Sequence, residues 1–94
     1  MNLCDIREIR QLMSVFHLNF RKEFGQNFLT DPGVVEDIAA GCCDDAGSTI
    51  LEIGPGIGTL SRALAQRYRR VVALEIDRGL IPVLSYTMND FHNF

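Results

Sequence analysis

The chain has too few cysteines, badly placed, for a disulfide framework. It has three in 94 residues, at Cys4, Cys42 and Cys43, an odd count with two adjacent. No Cys-x-x-Cys or Cys/His cluster with zinc spacing occurs, and His17 and His92 stand alone, so no metal site is expected. Such thiols fit a reducing, cytoplasmic compartment. No run approaches the roughly 18 apolar residues of a membrane helix, so no membrane association is expected. The N-terminus, with Asp5, Arg7, Glu8 and Arg10, lacks the apolar core of a signal peptide. An excess of positive charge is missing too. The net charge is −3, which argues against a generally basic nucleic-acid binder. The local clusters Arg21-Lys22 and Arg67, Arg69 and Arg70 read as solvated faces. Repeats and low-complexity tracts are absent. What remains is ordinary for a globular chain: 47% apolar and 22% charged residues, in a length that allows one domain at most.

The patterning places helices and strands in alternation. Asp5 is a helix cap whose side chain can accept from the backbone N–H three residues on, with Glu8 reaching back. Ile6, Ile9, Met13 and Phe16 then recur at three- and four-residue steps, which predicts a helix over about Ile6 to Val15. The segment 19–29 has no clear period and reads as an ordered loop pinned by Phe24 and Phe28. Thr30-Asp31-Pro32 is a cap followed by proline in the first helical turn. Val34, Val35, Ile38 and Cys42 mark the apolar face of this second helix, and Gly41 and residues 43–48 end it. A strand is expected over about Thr49 to Ile53, and a third helix from near Thr59 with Leu60, Leu64 and Tyr68 on one face. A second strand follows over about Val71 to Ile76, then a fourth helix from near Arg78, with Pro82 tolerable only in its first turn. Two strands joined by a helix make a parallel unit.

The most informative stretch is Leu51-Glu52-Ile53-Gly54-Pro55-Gly56-Ile57-Gly58-Thr59-Leu60. It reads as a buried strand running into a glycine-rich turn and then a helix. Glycines there let a ligand approach bare backbone, and the following helix start aims N–H groups at it. A dinucleotide fingerprint needs Gly-x-Gly-x-x-Gly. Gly54 and Gly56 fit it, but the third glycine falls one residue early, at Gly58, and Thr59 stands where it should be. A nicotinamide oxidoreductase is disfavoured on that ground. A second acid, Glu75, ends the next apolar strand 21 positions after Gly54. That is where a ribose-binding carboxylate belongs in a strand–helix–strand unit. An ionised carboxylate can accept from both ribose hydroxyls.

Gly-x-Gly-x-Gly preceded by Glu52 resembles the first motif of S-adenosylmethionine-dependent methyltransferases. Gly25-Gln26-Asn27-Phe28-Leu29, Thr30-Asp31-Pro32, Glu52 to Leu60 and Leu74-Glu75-Ile76-Asp77 together resemble the N-terminal part of bacterial ribosomal RNA adenine dimethyltransferases, over about Arg21 to Leu84. The related macrolide-resistance methyltransferases of large-subunit rRNA share Gln-Asn-Phe, but typically carry Ser at the position of Gly25 and differ at Pro55, so the small-subunit enzyme is favoured. The resemblance implies an α/β fold: the N-terminal part of a Rossmann-like class I methyltransferase, two parallel strands with flanking helices. Residues 1–29 would form the N-terminal helix and a cofactor-lining loop, and residues 30–94 the start of the Rossmann-like core. It further implies transfer of methyl groups from S-adenosylmethionine to N6 of two adjacent adenosines near the 3′ end of small-subunit rRNA. Gln26, Asn27 and Leu29 would line the cofactor site, Gly54, Gly56 and Gly58 would approach the methionyl part, Glu75 would hold the ribose, and Ile76 would lie against the adenine.

The family's Asn-(Leu/Ile)-Pro-(Tyr/Phe) signature does not occur in the sequence; Asn27, Asn89 and Asn93 lack it. No catalytic residue is therefore assigned, and the expectation is a partial methyltransferase domain, inactive by itself, without the remaining catalytic core and C-terminal domain. Its partner would be small-subunit rRNA or the ribosomal particle. The alternatives are a module that binds S-adenosylmethionine or self-associates without catalysis, and a piece of the large-subunit enzyme. Both strands are expected to present free edges, through which the chain could form a homo-oligomer.

Overall fold

In the computed structural model residues 1–18 and 29–94 are described. Helix α1 (Ile6–Val15) is followed by α2 (Pro32–Gly41), β1 (Thr49–Ile53), α3 (Thr59–Arg67), β2 (Arg70–Leu74), a 3-10 turn (Arg78–Leu80) and α4 (Ile81–Thr87). The order expected from the patterning holds. Both aspartate caps are present: Asp5 accepts from the Arg7 N–H, and Asp31 accepts from those of Gly33 and Val34. The first cap differs in detail from a reciprocal box. Asp5 reaches the N–H two residues on, and Glu8 accepts instead from the Asn2 N–H at 2.8 Å.

The strands are parallel, with Ile50 opposite Val71, Leu51 opposite Val72, Glu52 opposite Ala73 and Ile53 opposite Leu74. Side chains alternate across a pleated sheet, so Val71 faces one way and Leu51, Ile53, Val72 and Leu74 the other. The first face is covered. Val35 and Ala39 of α2, Ala63 and Leu64 of α3, Tyr68, Val71, Leu84 and Met88 form one buried cluster. The second face is bare: Leu51 is 61% exposed, Ile53 70% and Leu74 56%. A second cluster joins α1 (Ile9, Leu12, Met13) to Ile57, Leu80 and Val83, with Leu3 from ahead of the helix.

Three expectations are corrected in detail. Helix α2 buries Val35 and Ala39, while Val34, Ile38 and Cys42 stand exposed. The small Ala39 faces Tyr68, whose hydroxyl donates to the Ala39 carbonyl at 2.6 Å. Helix α1 buries Ile9, Leu12 and Met13, leaving Ile6 exposed. The edge of β2 is not wholly free: the Val71 N–H donates to the Asn93 carbonyl at 2.8 Å. The Asn93 amide in turn donates to the carbonyls of Ala65 and Tyr68 at 2.8 and 2.9 Å.

Candidate functional site at the glycine turn

The turn leaves the C-terminal end of β1, where ligands gather in parallel α/β sheets. Gly54, Gly56 and Gly58 all have positive φ, at 69°, 61° and 98°, a region that costs any other residue strain. The three glycines are thus required by the backbone path itself. Two of them differ in their surroundings. Among the described residues, a Cβ built on Gly54 would meet no atom within 4 Å beyond its chain neighbours, whereas one on Gly58 would lie 2.8 Å from Thr87 Oγ1. Among the described residues the space at Gly54 is open, whereas the space at Gly58 is filled by α4. Gly58 also caps α3 without a side chain to offer its first N–H groups.

Strand β2 ends at Leu74, two residues short of the expected Ile76. Its carbonyl takes the Gly54 N–H at 2.8 Å, and the chain then turns. The pairing stops there because β1 ends at Ile53, opposite Leu74. Just beyond, the Glu75 carboxylate is held twice. Oε1 accepts from the Gly56 N–H at 3.0 Å, and Oε2 accepts from the Asp77 N–H at 3.0 Å. The acid and the turn, 19 residues apart in sequence, thus form one constellation. Glu75 also lines a cleft of about 370 Å³ with Pro55, Ala73, Ile81, Leu84 and Phe94 among its other walls. Ile76 is 76% exposed.

Beneath the turn Glu52 is buried, and its Oε1 accepts from Ser61 Oγ at 2.5 Å. Burial pushes its carboxyl above the usual carboxylate range; the Ser61 bond opposes this and the charge of Glu75 adds to it. The motif's first acid therefore acts on the turn from inside, by tying the end of β1 to α3.

Leu29 packs, partly buried, against the core cluster under α2 and α3. Gln26 and Asn27, with Gly25 and Phe28, lie outside the described residues. The structure adds two residues that the patterning did not single out. Thr87, fully buried, donates from its hydroxyl to the Ile57 carbonyl at 2.8 Å. Arg62 donates to the Thr87 carbonyl at 2.5 Å and pairs through both Nη atoms with Asp90 at 2.9 and 3.2 Å, its guanidinium 5.0 Å from the Phe91 ring centre. A threonine near the end of an apolar helix carries no signal in sequence, because its partner is 30 residues away. Among the described residues no His, Cys, Asp or Glu cluster is placed to hold a metal ion, and no helix is long and apolar enough to cross a membrane.

Residues 17–93 match the family model described as ribosomal RNA adenine dimethylase. The small-subunit ribosomal RNA methyltransferase A of Alkaliphilus metalliredigens is 43% identical over 84 residues, 89% of this chain and 29% of that protein. Its counterpart in Streptococcus equi subsp. zooepidemicus is 40% identical over 93 residues, 99% of this chain and 32% of the relative. The chain therefore spans about a third of the length of the curated relatives it matches. Among solved structures, the 23S rRNA methyltransferase ErmE superposes with a TM-score of 0.66 at 37% identity, over 71% of this chain and 28% of that one. The α/β architecture is thus the N-terminal, Rossmann-like part of an rRNA methyltransferase fold.

Proposed function

The chain belongs to the ribosomal RNA adenine dimethylase family, and from that membership we propose that it supplies the S-adenosylmethionine-binding part of an enzyme that dimethylates N6 of two adjacent adenosines of small-subunit rRNA in the cytoplasm. The observation that carries this reading is the Glu75–Gly56 hydrogen bond beside the open Gly54. An ionised carboxylate has about four lone-pair sites. Two of Glu75's are taken by backbone N–H groups, which orient it and leave acceptor capacity for a ribose diol. Gly54 admits a ligand against bare backbone, and the exposed Ile76 offers an apolar surface to a base. These residues fit the group by shape and by donor set. Gln26, Asn27 and Leu29 are proposed to complete the wall, with Gly56 and Gly58 shaping the turn. Residues 1–29 serve as the N-terminal helix and a cofactor-lining loop, and 30–94 as the start of the Rossmann-like core.

When bound, S-adenosylmethionine supplies a sulfonium methyl as the electrophile. The chain's own residues bind and orient: the turn receives the methionyl end and Glu75 fixes the ribose. This is the positioning part of catalysis. The groups that hold the adenine amine belong to a signature that these 94 residues do not contain, so no catalytic residue is assigned among them.

The similarity to ErmE supports a second reading, action on large-subunit rRNA. The higher identity to small-subunit relatives, together with Gly25 and Pro55, favours the first. Titrating S-adenosylmethionine into isotope-labelled protein tests the site. Amide shifts confined to residues 54–59 and 75–77, with the loop at 25–29, are expected. Shifts elsewhere, or none, contradict the assignment.

A further inference from the structure

We infer that Thr87 is the positioning residue of the glycine turn: its hydroxyl, delivered by α4, holds the Ile57–Gly58 peptide in the orientation that the cofactor site requires. The inference rests on the proposed cofactor site for one of its two readouts. A helical threonine can turn its hydroxyl back to a carbonyl one turn earlier in its own helix. The Thr87 hydroxyl instead crosses to the Ile57 carbonyl at 2.8 Å, in a fully buried position. That carbonyl and the Gly58 N–H belong to one rigid peptide unit. The N–H side of the unit donates to the Pro55 carbonyl at 3.0 Å, so the peptide is gripped from both ends.

The rest of the turn is built around this grip. Gly58 has φ 98°, and a Cβ there would come within 2.8 Å of Thr87 Oγ1 and 3.4 Å of Leu84. The missing side chain is what admits α4. The main chain of Thr87 is itself fixed, since its carbonyl accepts from Arg62 of α3, the helix that the turn begins. Asp90 holds the same guanidinium. A peptide carbonyl left buried without its donor is costly, so without the hydroxyl the turn relaxes toward a geometry that pairs it elsewhere. Filling the space is a separate job, which valine, of the same shape, would do as well.

The test separates hydroxyl from shape. In Thr87→Val the amide resonance of Gly58 is expected to move and its hydrogen exchange to quicken, while amides of α2 keep their positions. S-adenosylmethionine affinity is expected to fall about three- to tenfold, the size of one lost hydrogen bond. Thr87→Ser, which keeps the hydroxyl, is expected to restore both. Unchanged Gly58 shift and exchange in Thr87→Val overturn the proposal, as does a shift that serine does not restore. If Thr87→Val fails to fold, a serine variant whose Gly58 shift departs from wild type overturns it. Absence of cofactor binding by the wild type would count against the cofactor reading alone, because the Gly58 resonance reports the grip without ligand.

Discussion

Glu75 and Gly56 meet across the mouth of the sheet: the carboxylate at the end of the second strand accepts the N–H of the central glycine at 3.0 Å. The contact joins the two parts of the motif that the sequence separates by 19 residues. With Oε2 held by the Asp77 N–H, the contact fixes the orientation of the carboxylate, and under the proposed function that pre-orientation would lower the cost of accepting a ligand hydroxyl.

The two outer glycines should fail differently. Gly54→Ala adds a methyl to open space at positive φ, a strain of about 1–2 kcal/mol, and should chiefly block cofactor approach. Gly58→Ala carries similar strain and also drives a methyl to 2.8 Å from Thr87, so it should be the less stable of the two. Urea unfolding midpoints of both variants check the order; a more stable Gly58→Ala contradicts it.

Glu52 sets a pH dependence. Its carboxyl is raised, mainly by burial, so the folded state holds the proton more tightly than the unfolded one. The stabilisation is present in full below the ordinary carboxyl range and is lost as pH rises through the raised value. Glu52→Gln can still accept from Ser61 but cannot ionise. The stability of wild type relative to Glu52→Gln should therefore fall between acid and neutral pH. Denaturant titrations across that range check this; a difference that grows toward neutral pH contradicts it.

Tyr68 locks α2 to α3. Its hydroxyl bonds with the Ala39 carbonyl at 2.6 Å and receives the Cys43 N–H at 3.1 Å. Tyr68→Phe leaves those groups without their partner and should cost about 1–3 kcal/mol, read from the unfolding free energy. A change within error of zero would mean that water replaces the hydroxyl at no cost.

Copies of this chain are expected to associate through the bare sheet face and the outer edge of β1, which no other strand pairs among the described residues. Leu51, Ile53 and Leu74 expose apolar surface on one face, and such faces beside a free strand edge invite pairing. Apparent mass by light scattering should rise with concentration, and Ile53→Lys should reduce the rise. A constant monomer mass would end this expectation.

The element order was legible because each signal was local: aspartate caps before helices, apolar runs for strands, glycines between them. The glycine turn and Glu75 were legible as a spacing, since a strand–helix–strand unit fixes where its two strands end relative to one another. Less legible were facts that depend on which helix lies on which. Of the apolar residues of α2 only Val35 is buried as its pattern suggests; Val34 and Ile38 stand exposed and Ala39 is buried instead, its carbonyl taken by the Tyr68 hydroxyl. Gly58 reads as ligand-facing, yet its missing side chain also makes room for Thr87, a contact that no spacing rule encodes. The end of β2 falls short of Ile76 because its partner strand stops at Ile53, opposite Leu74, and the length of a partner strand leaves no mark on the hydrophobic pattern of β2.

The most direct test of the central claim is calorimetric titration of S-adenosylmethionine into the wild type and into Glu75→Ala, with Glu75→Gln as the variant that keeps one acceptor oxygen. Measurable binding by the wild type is expected, with a loss of about 1–3 kcal/mol in Glu75→Ala and Glu75→Gln between them. No binding by the wild type, or equal affinity in wild type and Glu75→Ala, would contradict it.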